Sequence, residues 1–237
     1  MPVSDNAYQA KNAHLAYTAM SYSTEEKNAI YRVIRERRDM RHFNRDPVDP
    51  KVLHKLIQAA QQAPSVGYMQ PWRFIRISDC GIRMRIYEMV KTEIEETSEH
   101  VGSKKESYMK LKLEGLRECA EVWVAALMEG RDEYVLGRRT MPEMDLASLS
   151  CAIQNVWLAA RAEGVGVGWV SFFHPDELAE LLKMPEGSYP AAVLCIGNVD
   201  EFYPEPLLKT EGWENQRNID EILFENSWGQ SCDFGEA

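Results

Sequence analysis

Gly164-Val165-Gly166-Val167-Gly168-Trp169-Val170-Ser171 is the stretch that decides what kind of sheet this chain builds. Its alternating glycines look superficially like a dinucleotide-binding loop. They follow a helical pattern and lead into a strand, however, the reverse of the strand-to-helix order that aims backbone N–H dipoles at a pyrophosphate. A doubly wound nucleotide-binding fold is therefore rejected. Glycine here lets a ligand or a facing backbone approach closely, leaving Trp169, Val170 and Ser171 to line the surface. Upstream, Leu146 to Glu163 places Leu149, Ala152, Ile153, Val156, Trp157 and Ala160 on one stripe, the mark of a core or subunit-interface helix that Gly164 ends.

Working outward, Trp72 to Ile77, Val122 to Met128, Val167 to Phe173 and Ala191 to Val199 are short apolar or alternating runs bounded by Gly, Pro or Asp, as buried strands tend to be. They predict one central sheet. Ser23 with Glu26 forms a capping box for a helix through Ile30, Val33 and Ile34, and Asp49-Pro50 opens another through Leu53, Leu56 and Ala60. Ile82 to Glu118 reads as charged helix with a break near Val101-Gly102. Pro175 starts a short helix, and Asp220 to Phe224 a last one. The expectation is an α+β fold, with residues 1–22 a flexible leader and 23–237 a single domain.

The 237 residues are 45% hydrophobic, enough for a substantial core, and 37 acids against 27 basic residues give a net charge of -10. That balance disfavours a nonspecific nucleic-acid or anionic-membrane surface. No apolar run approaches the roughly 20 residues of a membrane-spanning helix, and residues 1–20 lack the pattern of a secretory signal, so a cytoplasmic protein is expected. Five scattered cysteines fit neither a disulfide framework nor a Cys-x-x-Cys metal site, and no His-Glu-x-x-His or Gly-x-Ser-x-Gly motif occurs, so no metal is expected.

Against that acidic background, six of the sixteen arginines fall between Arg32 and Arg45. Arg37 and Arg41 can converge on a phosphate, for which guanidinium has the matching fork. Equally, these arginines can pair with Glu25, Glu26, Glu36 and Asp46 on a solvated face. Asp39, inside the cluster, is expected to stay ionised and to orient the arginines. Ala63 to Trp72 combines backbone freedom, a hydroxyl, a carboxamide and aromatic rings, which suits either a planar ligand or a simple helix-to-strand connection.

Arg37-Arg38-Asp39-Met40-Arg41-His42-Phe43, Ala63-Pro64-Ser65 with Gln70-Pro71-Trp72, Gly164 to Ser171 and Ile196-Gly197-Asn198 occur in the order and spacing of the FMN-dependent nitroreductase family. The chain resembles that family from about Glu25 to Gly229. Within it, Asp39 and Ser171 resemble the BluB-type 5,6-dimethylbenzimidazole synthases, where other members tend to carry Ser at the first position. The resemblance implies a domain-swapped homodimer, a mixed sheet flanked by helices and two FMN sites at the subunit interface. It places Arg37, Arg38, Asp39, Met40 and Arg41 around the phosphate and pyrimidine side, Ser65 and Gln70 nearby, Trp169, Val170 and Ser171 beside the isoalloxazine, and Arg217 as a further phosphate contact.

The implied reaction takes reduced FMN as substrate and O2 as co-substrate, giving 5,6-dimethylbenzimidazole, the lower ligand of cobalamin, and erythrose 4-phosphate. Asp39 would transfer protons and Ser171 hydrogen-bond the ring, with NAD(P)H acting through a separate flavin reductase. Gly130 to Asp145 would be a lid or an ordinary surface loop. The competing readings are an NAD(P)H-dependent nitroreductase or flavin reductase, and a flavin-binding protein without turnover.

Overall fold

A computed structural model of the protein describes residues 21–100, 102 and 115–232. It divides into two units between Arg35 and Glu36. The leader expected over residues 1–22 lies almost wholly outside the described residues.

The first unit carries nearly all of helix α1 (Thr24–Glu36). Its expected capping box forms: Ser23 N–H donates to Glu26 Oε2 at 2.8 Å and Glu26 N–H to Ser23 Oγ at 3.2 Å. No residue of α1 is buried, and Ile30, Tyr31 and Ile34 face solvent.

In the second unit, α2 (Pro50–Gln61) starts as expected, with Asp49 accepting from Lys51 N–H at 2.8 Å. Then follow β1 (Trp72–Arg76), α3 (Cys80–Ser98), the short α4 (Gly115–Glu118), β2 (Glu121–Leu127), α5 (Met144–Ala162), β3 (Val165–Val170), α6 (Pro175–Leu181), β4 (Tyr189–Asn198) and α7 (Leu207–Thr210). The final helix expected over Asp220 to Phe224 is only a 3₁₀ turn at Ile219–Glu221, and its apolar residues Ile219 and Ile222 stay exposed among the described residues.

The sheet order is β1-β2-β4-β3, and every pair of strands is antiparallel. The expected mixed sheet is therefore corrected for this chain: the parallel element is one isolated bridge, Asp39 beside Val167. The segment touches β3 there and turns away, since the next backbone donor, Arg41 N–H, bonds the Tyr203 hydroxyl instead.

Alternation along the strands sorts side chains into two cores. Trp123, Ala125, Leu194 and Ile196 meet α2 and α5 through Leu56, Ala60, Leu149, Ile153 and Val156. Val122, Val124, Val193 and Cys195 meet α3 and α6 through Ile86, Val90, Ile94 and Leu178. Full burial of one such Leu or Ile contributes about 1.5–3 kcal/mol.

β3 begins two residues earlier than expected and ends before Ser171, so Gly166 and Gly168 lie inside the strand. They are there for space. A Cβ on Gly168 would sit 2.3 Å from the Met40 carbonyl oxygen, and one on Gly166 would sit 3.2 Å from Met40 Cγ and 2.5 Å from Val199 Cγ1. The close approach of a facing backbone, expected from the glycines alone, is thus made by Met40.

Gly130 to Asp145 is pinned at its root. The buried Asp145 carboxylate accepts from Arg131 Nε at 2.8 Å and from Arg138 Nη2 at 3.2 Å, through the same oxygen. Its tip leaves Val135, Leu136 and Met141 exposed. Gly168→Ala, which drives a methyl into a backbone carbonyl, will cost about 1–3 kcal/mol or more in chemical denaturation, and an unchanged midpoint would refute this packing.

Candidate active site

Past Glu36 the chain is sewn to α5 by two residues one turn apart. Arg161 donates to the Glu36 carboxylate at 2.8 Å and lies over the Phe202 ring at 4.1 Å. Trp157 Nε1–H donates to the Arg38 carbonyl at 2.9 Å, while the Arg37 guanidinium stacks on the Trp157 ring at 4.5 Å. Met40 N–H then donates to the Val167 carbonyl at 2.9 Å.

These anchors fix Asp39 between β3 and Arg41. One carboxylate oxygen accepts from Trp169 N–H at 2.8 Å; the other accepts from Arg41 Nη2 at 3.2 Å. Burial is the largest influence on this acid and pushes its pKa above the ordinary value, against the downward pull of Arg41, the Trp169 N–H and Arg37. Burial likewise lowers the Arg37 pKa, with Asp39 opposing. A carboxyl tuned upward beside arginines is equipped to accept and return a proton.

Behind Asp39 lies a cavity of about 30 Å³, walled by Met40, Phe43, Val170, Phe172 and Cys195. It has the volume of about one water molecule. A flavin would have to lie outside it.

The structure brings Arg37, Asp39, Met40, Arg41, Trp169 and Val170 together, but treats the other expected residues differently. Arg38 turns its guanidinium to backbone, donating to the Arg37 carbonyl at 2.8 Å and the Pro204 carbonyl at 2.7 Å. Ser171 is exposed beyond β3 and does not line the cavity. Ser65 Oγ accepts from Gln70 N–H at 3.0 Å, closing a loop in which Gly67, Tyr68 and Gln70 all take left-handed φ values of 51–53°. Arg217 pairs with Glu221 at 3.5 Å on an exposed turn.

Of the acids offered as surface partners for the arginines, Glu26 caps its own helix and Glu36 takes Arg161. Trp157, Arg161 and Tyr203 were missed by the sequence reading. The i, i+4 spacing of Trp157 and Arg161 was the available signal, but it was absorbed into the apolar stripe. Tyr203, whose hydroxyl receives Arg41 N–H at 3.2 Å and pairs with His42 Nδ1, carries no local signal.

Residues 34–198 match the Nitroreductase family, and the chain belongs to that family. It is 40% identical over 183 residues to a 5,6-dimethylbenzimidazole synthase of Rhodospirillum rubrum, covering 76% of this chain and 87% of the relative. A 5,6-dimethylbenzimidazole synthase of Rhodobacter capsulatus is 36% identical over 198 residues, covering 82% and 95%. Among solved structures, an oxidised iodotyrosine deiodinase bound to FMN and 3-iodo-L-tyrosine superposes with a TM-score of 0.67 at 19% identity, over 84% of this chain and all of the other. NADPH:FMN oxidoreductase from Vibrio harveyi, complexed with NAD+, gives 0.63 at 19% identity, over 87% and 80%.

The raised Asp39 pKa has a definite sign. Below the unfolded value near 3.8 the acid is neutral in both states, and stability is lost as pH climbs through the higher folded value. Asp39→Asn, which cannot ionise, will therefore gain on the parent as pH rises from about 3.8, read as the difference in denaturation midpoint across the acid range. A difference that moves the other way would show that the arginines outweigh burial.

Proposed function

We propose that this protein is a 5,6-dimethylbenzimidazole synthase that takes reduced FMN and O2 to 5,6-dimethylbenzimidazole and erythrose 4-phosphate. The observation that carries the reading is Asp39: an acid raised by burial, held on two sides by Trp169 N–H and Arg41, and backed by a water-sized cavity. The 36–40% identity to synthases over most of the chain supports it.

The residues present fit a flavin phosphate and ring. Arg37 and Arg41 supply charge and planar donors, Asp39 supplies an acceptor, and Trp157 and Trp169, with centroids 6.2 Å apart, supply apolar flanks. Arg37 would hold the phosphate; its guanidinium already faces Trp157 and makes no hydrogen bond to a described side chain. Arg38 would act through the backbone it braces. Ser171 would present its exposed hydroxyl to the ring, and Ser65 and Gln70 would keep their strained loop closed beside it. Bound reduced FMN supplies the electrons. Asp39 would exchange protons with the bound ring through its exposed third, while the apolar walls of the cavity shield the inner side of the carboxyl from bulk water.

We further propose a domain-swapped homodimer with residues of both chains at each site. Solvent-facing Ile30, Tyr31 and Ile34 on α1, and Ile219, Ile222 and Trp228 in the C-terminal stretch, are apolar surface that a second copy would cover. The electron source is taken to be NAD(P)H through a separate flavin reductase, and the protein is taken to act in the cytoplasm. Among the described residues no helix is long and apolar enough to cross a membrane.

Chemically reduced FMN mixed with the protein in air will yield 5,6-dimethylbenzimidazole by chromatography. Oxidised FMN as the sole product would favour a recycling reductase, and stoichiometric FMN retention without electron transfer a binding protein. Asp39→Asn will lower the rate by about 10²–10⁴, the usual worth of a positioned acid–base. Arg37→Gln will weaken FMN about 10–100-fold by fluorescence titration, while barely changing riboflavin, which lacks the phosphate.

A further inference from the structure

The chain leaving β4 runs back along the arginine-rich segment and grips it at successive points. Asn198 Nδ2 donates to the Asp46 and Pro47 carbonyls at 3.3 and 3.1 Å, and Asn44 Nδ2 donates to Asp200 Oδ1 at 3.3 Å. Farther along, the Tyr203 hydroxyl receives Arg41 N–H at 3.2 Å, and the Pro204 carbonyl receives Arg38 Nη2 at 2.7 Å. The contact at Tyr203 differs from the others, because Arg41 is the residue whose guanidinium turns back to Asp39 Oδ2 at 3.2 Å.

Tyr203 suits such a task. Its ring is partly buried against the core beside α3 and stands edge-on to His42, with centroids 5.8 Å apart at 87°. A phenol has one proton to give and lone pairs to receive. Since Arg41 N–H donates to it, its own proton is directed at its second partner, His42 Nδ1, which accepts when the imidazole carries its proton on Nε2. One residue earlier Met40 N–H is bonded to β3, so successive backbone donors go to opposite walls. That is the pattern of extended chain, in which side chains two apart share a face, and it brings Asp39 and Arg41 together.

We infer that Tyr203 is a positioning residue of the candidate site: its hydroxyl, oriented by His42, pins the Arg41 backbone so that the Arg41 guanidinium stays on the Asp39 carboxyl. Without the pin, Arg41 N–H loses its partner and the segment is tied to β3 only as far as Met40. The charge of Arg41 pulls the Asp39 pKa down against burial, so a guanidinium set loose leaves burial less opposed and the acid titrates at higher pH. The other groups facing Asp39 stay in place: Arg37 from the same segment, Trp169 N–H from β3 and the Cys195 thiol from β4. His42, Asp200 and Glu201 surround Tyr203 itself.

Asp39 is titrated in the intact chain by carboxyl ¹³C NMR, its signal identified by its loss in Asp39→Asn. Tyr203→Phe, which keeps the ring and removes only the hydroxyl, will move the midpoint to higher pH. In an Arg41→Gln background the same substitution will move it no further. The preference for FMN over riboflavin, which reports the hold of Arg37 on phosphate, will stay at the parental value. In turnover the pH profile will shift in the same direction, whereas lost packing alone would lower the rate equally at every pH. The inference is overturned if Tyr203→Phe leaves the Asp39 midpoint where it was, or moves it as far in the Arg41→Gln background. Should Tyr203→Phe not fold, amide exchange in the parent decides: a protected Arg41 N–H is expected, and exchange at the rate of open chain overturns the pin. The NMR and exchange readings need no turnover, so their failure is distinct from failure of the synthase reading, on which only the catalytic meaning of Asp39 rests.

Discussion

The hydrogen bond from Met40 N–H to the Val167 carbonyl, 2.9 Å long, is the constraint on which the candidate site depends. It brings the arginine-rich segment onto the outer edge of β3 for one residue pair, and that contact is possible only because Gly166 and Gly168 present no side chain to Met40. With Met40 seated, Asp39 meets the Trp169 N–H and Arg41 turns back to the same carboxylate. The edge strand is covered by the same contact that builds the site.

Around that contact, desolvation competes with charge. Asp39 lies among cations that would lower its pKa in water, yet removal of water has the larger effect and the acid is shifted upward. Arg37 is shifted downward by the same burial. This arrangement makes Asp39, rather than the always-protonated Arg37, the group that can exchange a proton within the site. Trp157 maintains it, because one side chain both stacks on Arg37 and holds the Arg38 carbonyl.

A second buried ionic cluster serves a structural purpose. Asp145, Arg131 and Arg138 tie the root of the 130–145 segment to the start of α5, and its Leu136-Gly137 turn packs on Val66 and Gly67. The Ser65–Gln70 loop is thereby clamped between this turn and Ser148, whose hydroxyl accepts from Val66 N–H. The left-handed backbone at Tyr68 and Gln70 is strain that such clamping sustains.

The capping box at Ser23, the Asp49-Pro50 start, the four strands and the long core helix were legible in the sequence because caps, proline and hydrophobic period act over one or two turns. So was the order of motifs that marks the nitroreductase family. Arg38 could not be assigned that way: whether a guanidinium faces a ligand or the Pro204 carbonyl is settled by a residue far along the chain. The same holds for Tyr203 under Arg41. The sequence by itself determined which segments are helix and strand and which carry charge. Only the tertiary structure decided which backbone crosses the paired glycines, and with it how far water is removed from Asp39, since desolvation depends on everything packed around a group rather than on its neighbours in the chain.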